Sequence, residues 1–339
     1  MTATHNADAK GVLFWSLPDN GRIRVGWGKE GQFRNFWQNT LLLPNAANAD
    51  LLERAVQYWH PSPPTVAVPE ANWVVNYVAE PDIAANGQAW LEKRWGGKVP
   101  IFNHPNAIRA SARDRIEEVF GGIKGLVVPK TVRLRLRSVD DLKRVFDDNG
   151  FRFPVILRPA KWQTGMGMLR IDSHDDWVRI IGSPYMTEDQ FMIQFEDVGN
   201  AAGEYQKVRV LFVGGTPYLR HVKATTDWMI HNTSKNAVEG FAGKREIQVI
   251  DELEANPTFM HICSEIGQRL QLDFFGADIG IDPANNRFVL FEANPSMSVF
   301  FAPREDDTPE RAERRERLQL RAERAVVELL KDPTRWRSG

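Results

Sequence analysis

The chain has 339 residues, of which 42% are hydrophobic and 26% are charged, a composition typical of a globular protein with two or three packed subdomains. Its formal net charge of −1 provides no overall field that would attract nucleic acid or an anionic membrane. The single cysteine, Cys263, excludes an internal disulfide and favours a reducing compartment. No run of about 18 apolar residues could cross a bilayer, and residues 1–10 lack a signal-peptide pattern and are expected to form a disordered tail. We therefore expect a cytoplasmic protein.

Residues 11–106 predict a small N-terminal α/β domain. The predicted elements are, in chain order, a strand at 11–17, a helix at 49–59, strands at 65–70 and 73–78, and a short strand with a proline turn at 100–105. No pattern in this domain identifies a ligand.

Residues 107–193 predict a central α+β subdomain. Its expected elements are a helix over 107–120, a strand over 125–134, a helix over 138–150, strands over 153–159 and 165–171, a helix over 172–183, and a strand over 191–198 that leads out of it. Ser138, the acidic residues after it and Gly150 mark both ends of the helix over 138–150.

Residues 194–339 predict a second α+β subdomain. We expect a β-hairpin over 207–224, a helix over 255–272, two apolar strands over 274–281 and 287–294, and a charged helix over 309–331. The weak apolar stripe of the last helix predicts a solvated surface helix; it consists of Leu318, Ala322, Ala325, Val326 and Leu329.

Three groups able to bind a hard cation interrupt the two apolar strands. Glu292 and Asn294 are two residues apart and face the same side of their strand. A three- or five-residue hairpin loop would place Asp278 opposite Glu292. An ionised carboxylate in an apolar setting needs a partner, and oxygen ligands on adjacent strands suit Mg²⁺. From the spacing alone, strand-end polar residues satisfied by backbone or water are an equal alternative.

A second pattern favours a phosphate site. Arg158 ends the strand over 153–159, and a loop with Gly165 and Gly167 follows before the chain returns as a strand. Glycines let backbone N–H groups approach phosphate oxygens, and the return to a strand differs from a P-loop, which opens a helix. An ordinary hairpin turn also explains two glycines, so this pattern counts only in combination with the carboxylate strands.

The order of these motifs resembles the ATP-grasp superfamily, and within it the RimK-like domains, including those fused to tetratricopeptide repeats. The resemblance extends over about 105–301 and depends on four segments in sequence: VPIFNHPNAI, RDRIEEVF with GLVVPKT, EYQKVRVLFVGGTPYLRHVKATTDWMIHN, and FFGADIGID followed by FVLFEANPSM. It implies a fold in which an N-terminal pre-ATP-grasp domain precedes two α+β subdomains that clasp ATP. The segment over about 125–193 would be a mobile lid.

The resemblance also implies roles for individual residues. Arg115 and Arg158 match the two phosphate-contacting lysines, as arginines here, and Lys161 is an alternative. Lys207 and Arg209 match basic residues facing the transferred phosphate. The adenine hinge would be Gln194, Phe195, Glu196, Asp197 and Val198; Glu204 would meet the ribose; and the magnesium ligands would be Asp278, Glu292 and Asn294.

The acceptor side is implied less directly. His221, Lys223, His231 and Asn232 lie in the segment that would line it, although a structural role is the more common explanation for each, as it is for a lone histidine. Arg304 would clamp a substrate carboxylate, or lie at the surface.

The implied activity is that of an ATP-dependent carboxylate–amine ligase that uses ATP and Mg²⁺, or Mn²⁺, and forms an acyl phosphate before the amide bond. Its partners would be small carboxylate and amine substrates such as an amino acid or a peptide, with neither nucleic acid nor membrane involved; a homodimer is common among such enzymes. Two alternatives are a kinase and a non-catalytic nucleotide-binding module.

Overall fold

The computed structural model describes residues 11–21, 24–27, 33–36, 40–161, 165–184, 186–230, 236–282, 285–300 and 309–337. Within them the chain builds three main sheets with helices around them, which confirms the predicted mixed α/β class. No helix in these ranges is long and apolar enough to cross a membrane.

The N-terminal sheet is parallel, with the strand order β4-β1-β5-β6. Its strands are β1 (Gly11–Ser16), β4 (Ala55–His60), β5 (Trp73–Asn76) and β6 (Ile101–Phe102). The helices α1 (Asn45–Arg54) and α2 (Ala85–Trp95) connect them, and β2 (Arg24–Trp27) pairs with β3 (Phe33–Phe36) in a separate hairpin.

Two predictions for this domain are wrong. The helix expected over 49–59 ends at Arg54, because AVQYWH forms β4 and pairs in parallel with β1; its β-branched and aromatic residues suit a strand. The strand expected over 65–70 is absent from the structure of that segment. Pro69 lies within that segment and removes an N–H donor that a strand would need, and Pro61, Pro63 and Pro64 precede it.

A four-stranded antiparallel sheet, order β10-β9-β11-β8, forms what we call the lid subdomain. Its elements are β8 (Thr131–Arg135), α5 (Val139–Asp148), β9 (Val155–Pro159), β10 (Leu169–Ile171), a 3₁₀ turn at His174–Trp177, α6 (Val178–Ile181) and β11 (Asp189–Gln194). These elements enclose their own hydrophobic core, centred on Leu142, Leu157 and Trp177.

The five-stranded C-terminal sheet has the order β13-β12-β14-β15-β7 and is antiparallel except for β15 and β7. Its elements are β7 (Leu126–Val127), β12 (Tyr205–Val213), β13 (Thr216–Thr225), a π-helical turn at Phe241–Arg245, α7 (Glu246–Ala255), α8 (Pro257–Arg269), β14 (Phe274–Asp282), β15 (Arg287–Asn294), α9 (Pro309–Lys331) and a 3₁₀ turn at Pro333–Arg335. The largest core lies against this sheet, and Cys263 is buried in it.

The segment joining the first two domains also differs from expectation. The predicted helix over 107–120 is two helices, α3 (Pro105–Ala110) and α4 (Ile116–Phe120), which pack into the core of the C-terminal sheet. The strand predicted over 125–134 is likewise split at Pro129, so that β7 joins the C-terminal sheet and β8 joins the lid. The lid sheet therefore starts at Thr131.

The last helix is not the solvated surface helix that its charge predicted. Ala322, Val326 and Leu329 of α9 are buried in a core shared by the N-terminal domain and the C-terminal sheet. Beyond the helix, the Trp336 ring packs edge-on against Trp73 and Phe102. The weak stripe is thus an interface that holds the two domains together.

Candidate functional site

A cavity of ≈ 340 Å³, here called the central cavity, lies between the lid sheet and the C-terminal sheet. The lid contributes residues of β9 and β11, and the C-terminal sheet contributes residues of β12, β14 and β15. Its polar wall contains four basic side chains, Arg113, Arg158, Lys207 and Arg209. A cleft between subdomains with convergent charged groups is where ligands usually bind.

The predicted carboxylate pair is present on this wall. Asp278 of β14 stands opposite Glu292 of β15 in the strand register, and Gly276 stands opposite Asn294. A β-bulge follows Asp278, so the register shifts by one residue beyond it. Asp278, Glu292 and Asn294 all line the central cavity. Asp278 is therefore opposite Glu292 as expected, but for a different reason: Asp282 pairs with Arg287 across a four-residue loop instead of the expected three or five residues, and the bulge brings Glu292 into line.

Asp278 is neutralised by two cations from the neighbouring strand β12. Arg209 donates two hydrogen bonds to its carboxylate, from Nε at 2.7 Å and from Nη2 at 2.8 Å. Lys207 Nζ lies 2.7 Å from Asp278 Oδ2. Burial alone would raise the pKa of this carboxyl, which is only 1% exposed, but Lys207 and Arg209 hold it below its ordinary value. Asp278 is thus an ionised group at neutral pH.

Glu292 forms an ion pair with Arg113, whose Nη1 also donates to the Phe291 carbonyl at 3.2 Å. Burial would raise the pKa of Glu292, and the charge of Arg113 lowers it. Arg158 lies nearby, and burial together with the charge of Arg113 lowers its pKa to about 9. This wall therefore concentrates more positive charge than its own carboxylates need, which suits a polyanionic ligand.

The cavity also has apolar lining residues, here called the apolar wall. They are Ile156, Ile193, Met168 and Phe291, together with Trp228 and Met229 from the segment after β13. Apolar side chains of this kind suit an aromatic base, with backbone groups giving orientation.

The predicted hinge borders this apolar wall. Gln194, Phe195, Glu196 and Val198 line the cavity, whereas Asp197 is not among the lining residues and its carboxylate accepts from Gly199 N at 2.8 Å. Arg287 fixes the hinge by pairing with Glu196 and by donating to the Asp197 carbonyl at 2.8 Å. The Arg170 guanidinium packs over Phe195, 4.4 Å from the ring centroid.

The glycine loop reaches the cavity only in part. Gly165 lines it, in a left-handed conformation (φ 72°), and a Cβ there would lie 3.2 Å from Met229 Sδ. Gly167 is also left-handed (φ 73°) but does not line the cavity. Lys161 is exposed, and residues 162–164 lie outside the described residues.

Other predicted residues lie elsewhere. Arg115 is exposed at the start of α4, outside the cavity lining. Glu204 forms an ion pair with Arg245 at 2.6 Å, which lowers the pKa of Glu204, and it does not line the cavity.

The acceptor-side predictions are only partly placed. His221 and Lys223 lie on β13, opposite Arg209 and Lys207 in register, and are not cavity-lining residues. Burial lowers the pKa of His221 well below its ordinary value, which favours the neutral imidazole. His231, Asn232 and Arg304 lie outside the described residues.

Sequence reasoning missed Arg113 and the segment Trp228–Ile230. Arg113 belongs to the same RDR motif as Arg115, but a continuous helix over 107–120 gave no reason to choose between them. The break between α3 and α4 lets Arg113 reach Glu292. Lys207 joins the second missed segment to the site, since its Nζ donates to the Ile230 carbonyl at 3.0 Å.

The donor set fits a magnesium ion. Two carboxylates and one amide on paired strands offer oxygen ligands alone, the type that Mg²⁺ prefers. Asn294 is oriented by Ser296, whose N–H and hydroxyl donate to Asn294 Oδ1 at 3.1 and 3.2 Å. Across the part of the chain that the structure describes, no group of three or more His, Cys, Asp or Glu side chains is placed to hold a metal ion.

No protein-family model matches the sequence, and no curated protein matches it. Solved structures do. A D-alanine–D-alanine ligase from Bacillus anthracis matches with a TM-score of 0.50 at 10% identity, over 96% of this chain and 98% of the other. A RimK-domain ATP-grasp protein from Sphaerobacter thermophilus matches with a TM-score of 0.48 at 15% identity, over 94% and 98%. D-alanyl-alanine synthetase A from Vibrio cholerae matches with a TM-score of 0.46 at 13% identity, over 96% of this chain and 99% of the other.

At 10% identity, the match with a TM-score of 0.50 shows the fold alone and leaves the activity open. The resemblance to RimK-like domains in particular stays a prediction, as do the domain boundaries and residue roles. Together with the sheet order, the match to the Bacillus anthracis ligase structure shows that this chain has the ATP-grasp fold.

Proposed function

We propose that this protein is an Mg²⁺- and ATP-dependent carboxylate–amine ligase. The observation that carries the proposal is the polar wall of the central cavity, where two ionised carboxylates and an amide oxygen stand on paired strands beside four basic side chains. The apolar wall and the hinge segment line the same cavity, so one cavity offers a place for a base, for phosphates and for a dication.

In this proposal the base lies against Ile156, Ile193 and Phe291, with backbone groups of residues 194–198 at its edge. Arg113, Arg158, Lys207 and Arg209 bind the phosphates, and Asp278, Glu292 and Asn294 hold the metal. In this proposal Arg113 takes the phosphate role that the sequence predicted for Arg115. Lys161, Gly167, Asp197 and Glu204 remain predicted contacts, and none of them lines the central cavity in this structure.

The reaction would proceed in two steps. A substrate carboxylate oxygen forms a bond to the γ-phosphorus of ATP as the bond to the β,γ-bridging oxygen breaks, which releases ADP and gives an acyl phosphate. A neutral amine then bonds to the acyl carbon, phosphate leaves, and the amine nitrogen loses a proton. Bound Mg²⁺ would neutralise charge on the phosphoryl oxygens.

The protein's own residues act by position and charge in both steps. Arg158 and Arg113 stabilise negative charge on the transferred group, and Lys207 and Arg209 hold Asp278 in place from the adjacent strand. The substrate would be an amino acid or short peptide in the cytoplasm.

The test measures ADP and phosphate release from Mg·ATP against a panel of amino acids and peptides, with mass spectrometry of the products. Release of both, with a product equal to the two substrates minus water, is the expected result. ADP without phosphate would indicate a kinase, and nucleotide binding without turnover would favour a binding module.

Glu292→Ala should abolish turnover in this assay, because it removes a metal ligand and leaves Arg113 without its carboxylate partner. Glu70→Ala serves as the control, since the Glu70 side chain is 95% exposed and pairs only at the surface with Arg94. A Glu292→Ala protein with wild-type turnover would overturn the metal-ligand assignment.

A further inference from the structure

The two halves of the hinge are held by different parts of the molecule. The first half is fixed to the lid, because the Gln194 N–H donates to the Lys130 carbonyl at 2.9 Å and the Phe195 N–H donates to the Pro154 carbonyl at 3.3 Å. The second half is fixed to the C-terminal sheet by Arg287, the first residue of β15. A single side chain therefore joins the hinge to the sheet that carries the candidate metal ligands.

Arg287 turns the Asp197 carbonyl away from the central cavity. Its guanidinium forms an ion pair with Glu196, and its Nη1 donates to the Asp197 carbonyl at 2.8 Å. The Asp197 carboxylate accepts a hydrogen bond from the Gly199 N–H at 2.8 Å. Both acceptor groups of Asp197 are thus used outside the cavity, and neither Asp197 nor Arg287 is a lining residue.

The direction of the Asp197 carbonyl sets the direction of the next N–H group. The peptide bond between Asp197 and Val198 is trans, and the C=O and N–H of a trans peptide point in opposite directions. Because the carbonyl points to Arg287, the Val198 N–H points away from Arg287. Val198 is buried and lines the central cavity. Its N–H is therefore a donor on the cavity side of the hinge.

This donor has no partner within the protein as far as the structure describes it. None of the described residues accepts a hydrogen bond from the Val198 N–H. Buried backbone N–H groups are nearly always paired, because a buried donor without an acceptor loses its hydrogen bond to water and gains nothing in return. An acceptor atom on a ligand in the central cavity would satisfy it.

We propose that Arg287 is a positioning residue through which the base site selects adenine over guanine. It acts on the Asp197 carbonyl, and so holds the Val198 N–H against the edge of the base. This inference rests on the proposed ATP-dependent function and adds the residue that determines base specificity. Adenine has an acceptor lone pair at N1, which the Val198 N–H can meet. Guanine has an N–H donor at the same position and would leave the Val198 donor unpaired.

Calorimetric titration with AMP-PNP and with GMP-PNP, both with Mg²⁺, tests the selection. The wild type should bind AMP-PNP more tightly by about tenfold or more, because guanine leaves a buried donor unpaired. Arg287→Met keeps the length of the side chain but cannot donate to the Asp197 carbonyl. We expect it to bind AMP-PNP more weakly and to reduce the ratio of the two affinities by about threefold or more.

Arg245→Met is the matched control. It removes another arginine–glutamate ion pair, that of Arg245 with Glu204, and neither residue lines the central cavity. This variant should keep the wild-type ratio of AMP-PNP and GMP-PNP affinities. A change in ion pairing near the hinge is thereby separated from a change in the direction of the Val198 N–H.

The atom that the hinge reads is tested on the wild type alone. In 1-deaza-ADP a C–H group replaces N1 of adenine, so the acceptor is lost and the rest of the nucleotide is kept. We expect it to bind more weakly than ADP by about threefold to tenfold, the effect of one hydrogen bond. This comparison decides the question even if Arg287→Met does not fold.

The outcomes separate this inference from the proposed function. If the wild type does not bind AMP-PNP, the ligase proposal fails. If it binds AMP-PNP, three results overturn the role of Arg287 alone: no preference over GMP-PNP, equal binding of ADP and 1-deaza-ADP, or an affinity ratio that is unchanged in Arg287→Met or falls equally in Arg245→Met.

Discussion

Two glycines make room for the walls of the central cavity. Gly276 and Gly280 lie two residues before and after Asp278 on β14. Both glycines therefore face the same side of the strand as this candidate metal ligand. A Cβ at Gly280 would lie 2.4 Å from the Phe291 ring, and one at Gly276 would lie 2.6 Å from Met297 Sδ. Phe291 and Met297 both line the cavity, so these glycines fix the position of its walls.

Gly280→Ala should therefore weaken nucleotide binding. The added methyl group displaces the Phe291 ring, and overpacking of this kind costs about 1–3 kcal/mol. We expect the Kd for Mg·AMP-PNP, measured by calorimetry, to rise by about fivefold or more. Gly182→Ala is the matched control, because a Cβ there meets nothing within 4 Å. Equal affinities in both variants would contradict the packing account.

At the scale of residues, the sequence was informative where spacing determines geometry. Glu292 and Asn294 share a face because they are two apart on one strand, and the register then sets Asp278 opposite Glu292. Arg113 could not be chosen over Arg115, since the choice depends on the break between α3 and α4. The proximity of Glu80 to Glu292 could not be predicted, because only the tertiary fold brings the end of β5 close to β15.

Among the elements, helix α3 depends on an unusual cap. His104 Nδ1 accepts a hydrogen bond from Asn106 N at 3.2 Å, which requires the neutral imidazole. Burial is the main reason that the pKa of His104 lies below its ordinary value. A depressed pKa means that the folded state resists protonation. The neutral His104 cap therefore contributes to the free energy of unfolding above pH about 6.5. This contribution is lost as the pH falls through the lower, folded-state pKa of His104.

His104→Asn should remove this pH dependence, because asparagine caps a helix without titrating. We expect the free energy of unfolding of the wild type to fall relative to that of the variant as the pH is lowered from about 7.5 to about 5. Urea denaturation at several pH values measures the difference. His261→Asn, on an exposed position of α8, is the control. A difference that is constant or grows in favour of the wild type would contradict the account.

Elements with strong local sequence signals were predicted correctly. Elements whose conformation depends on a neighbouring strand or helix were not. Helix α5 has Ser138 as its cap and Asp141 completing a capping box, both readable from the sequence. Strand β4 continues directly from α1 without a turn, and it is a strand because β1 lies beside it. The buried stripe of α9 was underestimated because charged residues surround it.

Across the whole molecule, the lid subdomain is tied to the rest by Arg133. This β8 side chain donates to Asp82 at 2.8 Å and to Asp114 at 2.9 and 3.2 Å, and its guanidinium lies 4.7 Å from the Phe191 ring centroid. Because the lid has its own core, such contacts between subdomains govern its position. Lids that close over a ligand are drawn from units with few tethers.

Arg133→Ala should loosen the lid in the nucleotide-free protein. We expect faster amide hydrogen exchange over residues 155–194 than in the wild type, with much of the difference removed by Mg·AMP-PNP. Arg135→Ala is the matched control on the same strand. The Arg135 side chain is 76% exposed, and its Nε lies as far as 4.0 Å from Asp189 Oδ1, its ion-pair partner. Equal rates of amide hydrogen exchange over residues 155–194 in the two variants would show that Arg133 does not hold the lid in place.

The central claim is that Asp278, Glu292 and Asn294 bind a dication that helps hold ATP in the central cavity. The most direct test is calorimetric titration of the full chain with AMP-PNP, with and without Mg²⁺, for the wild type and for Glu292→Gln. We expect Mg²⁺ to strengthen AMP-PNP binding to the wild type and Glu292→Gln to lose this gain. Equal strengthening by Mg²⁺ in both proteins, or none in the wild type, would contradict it.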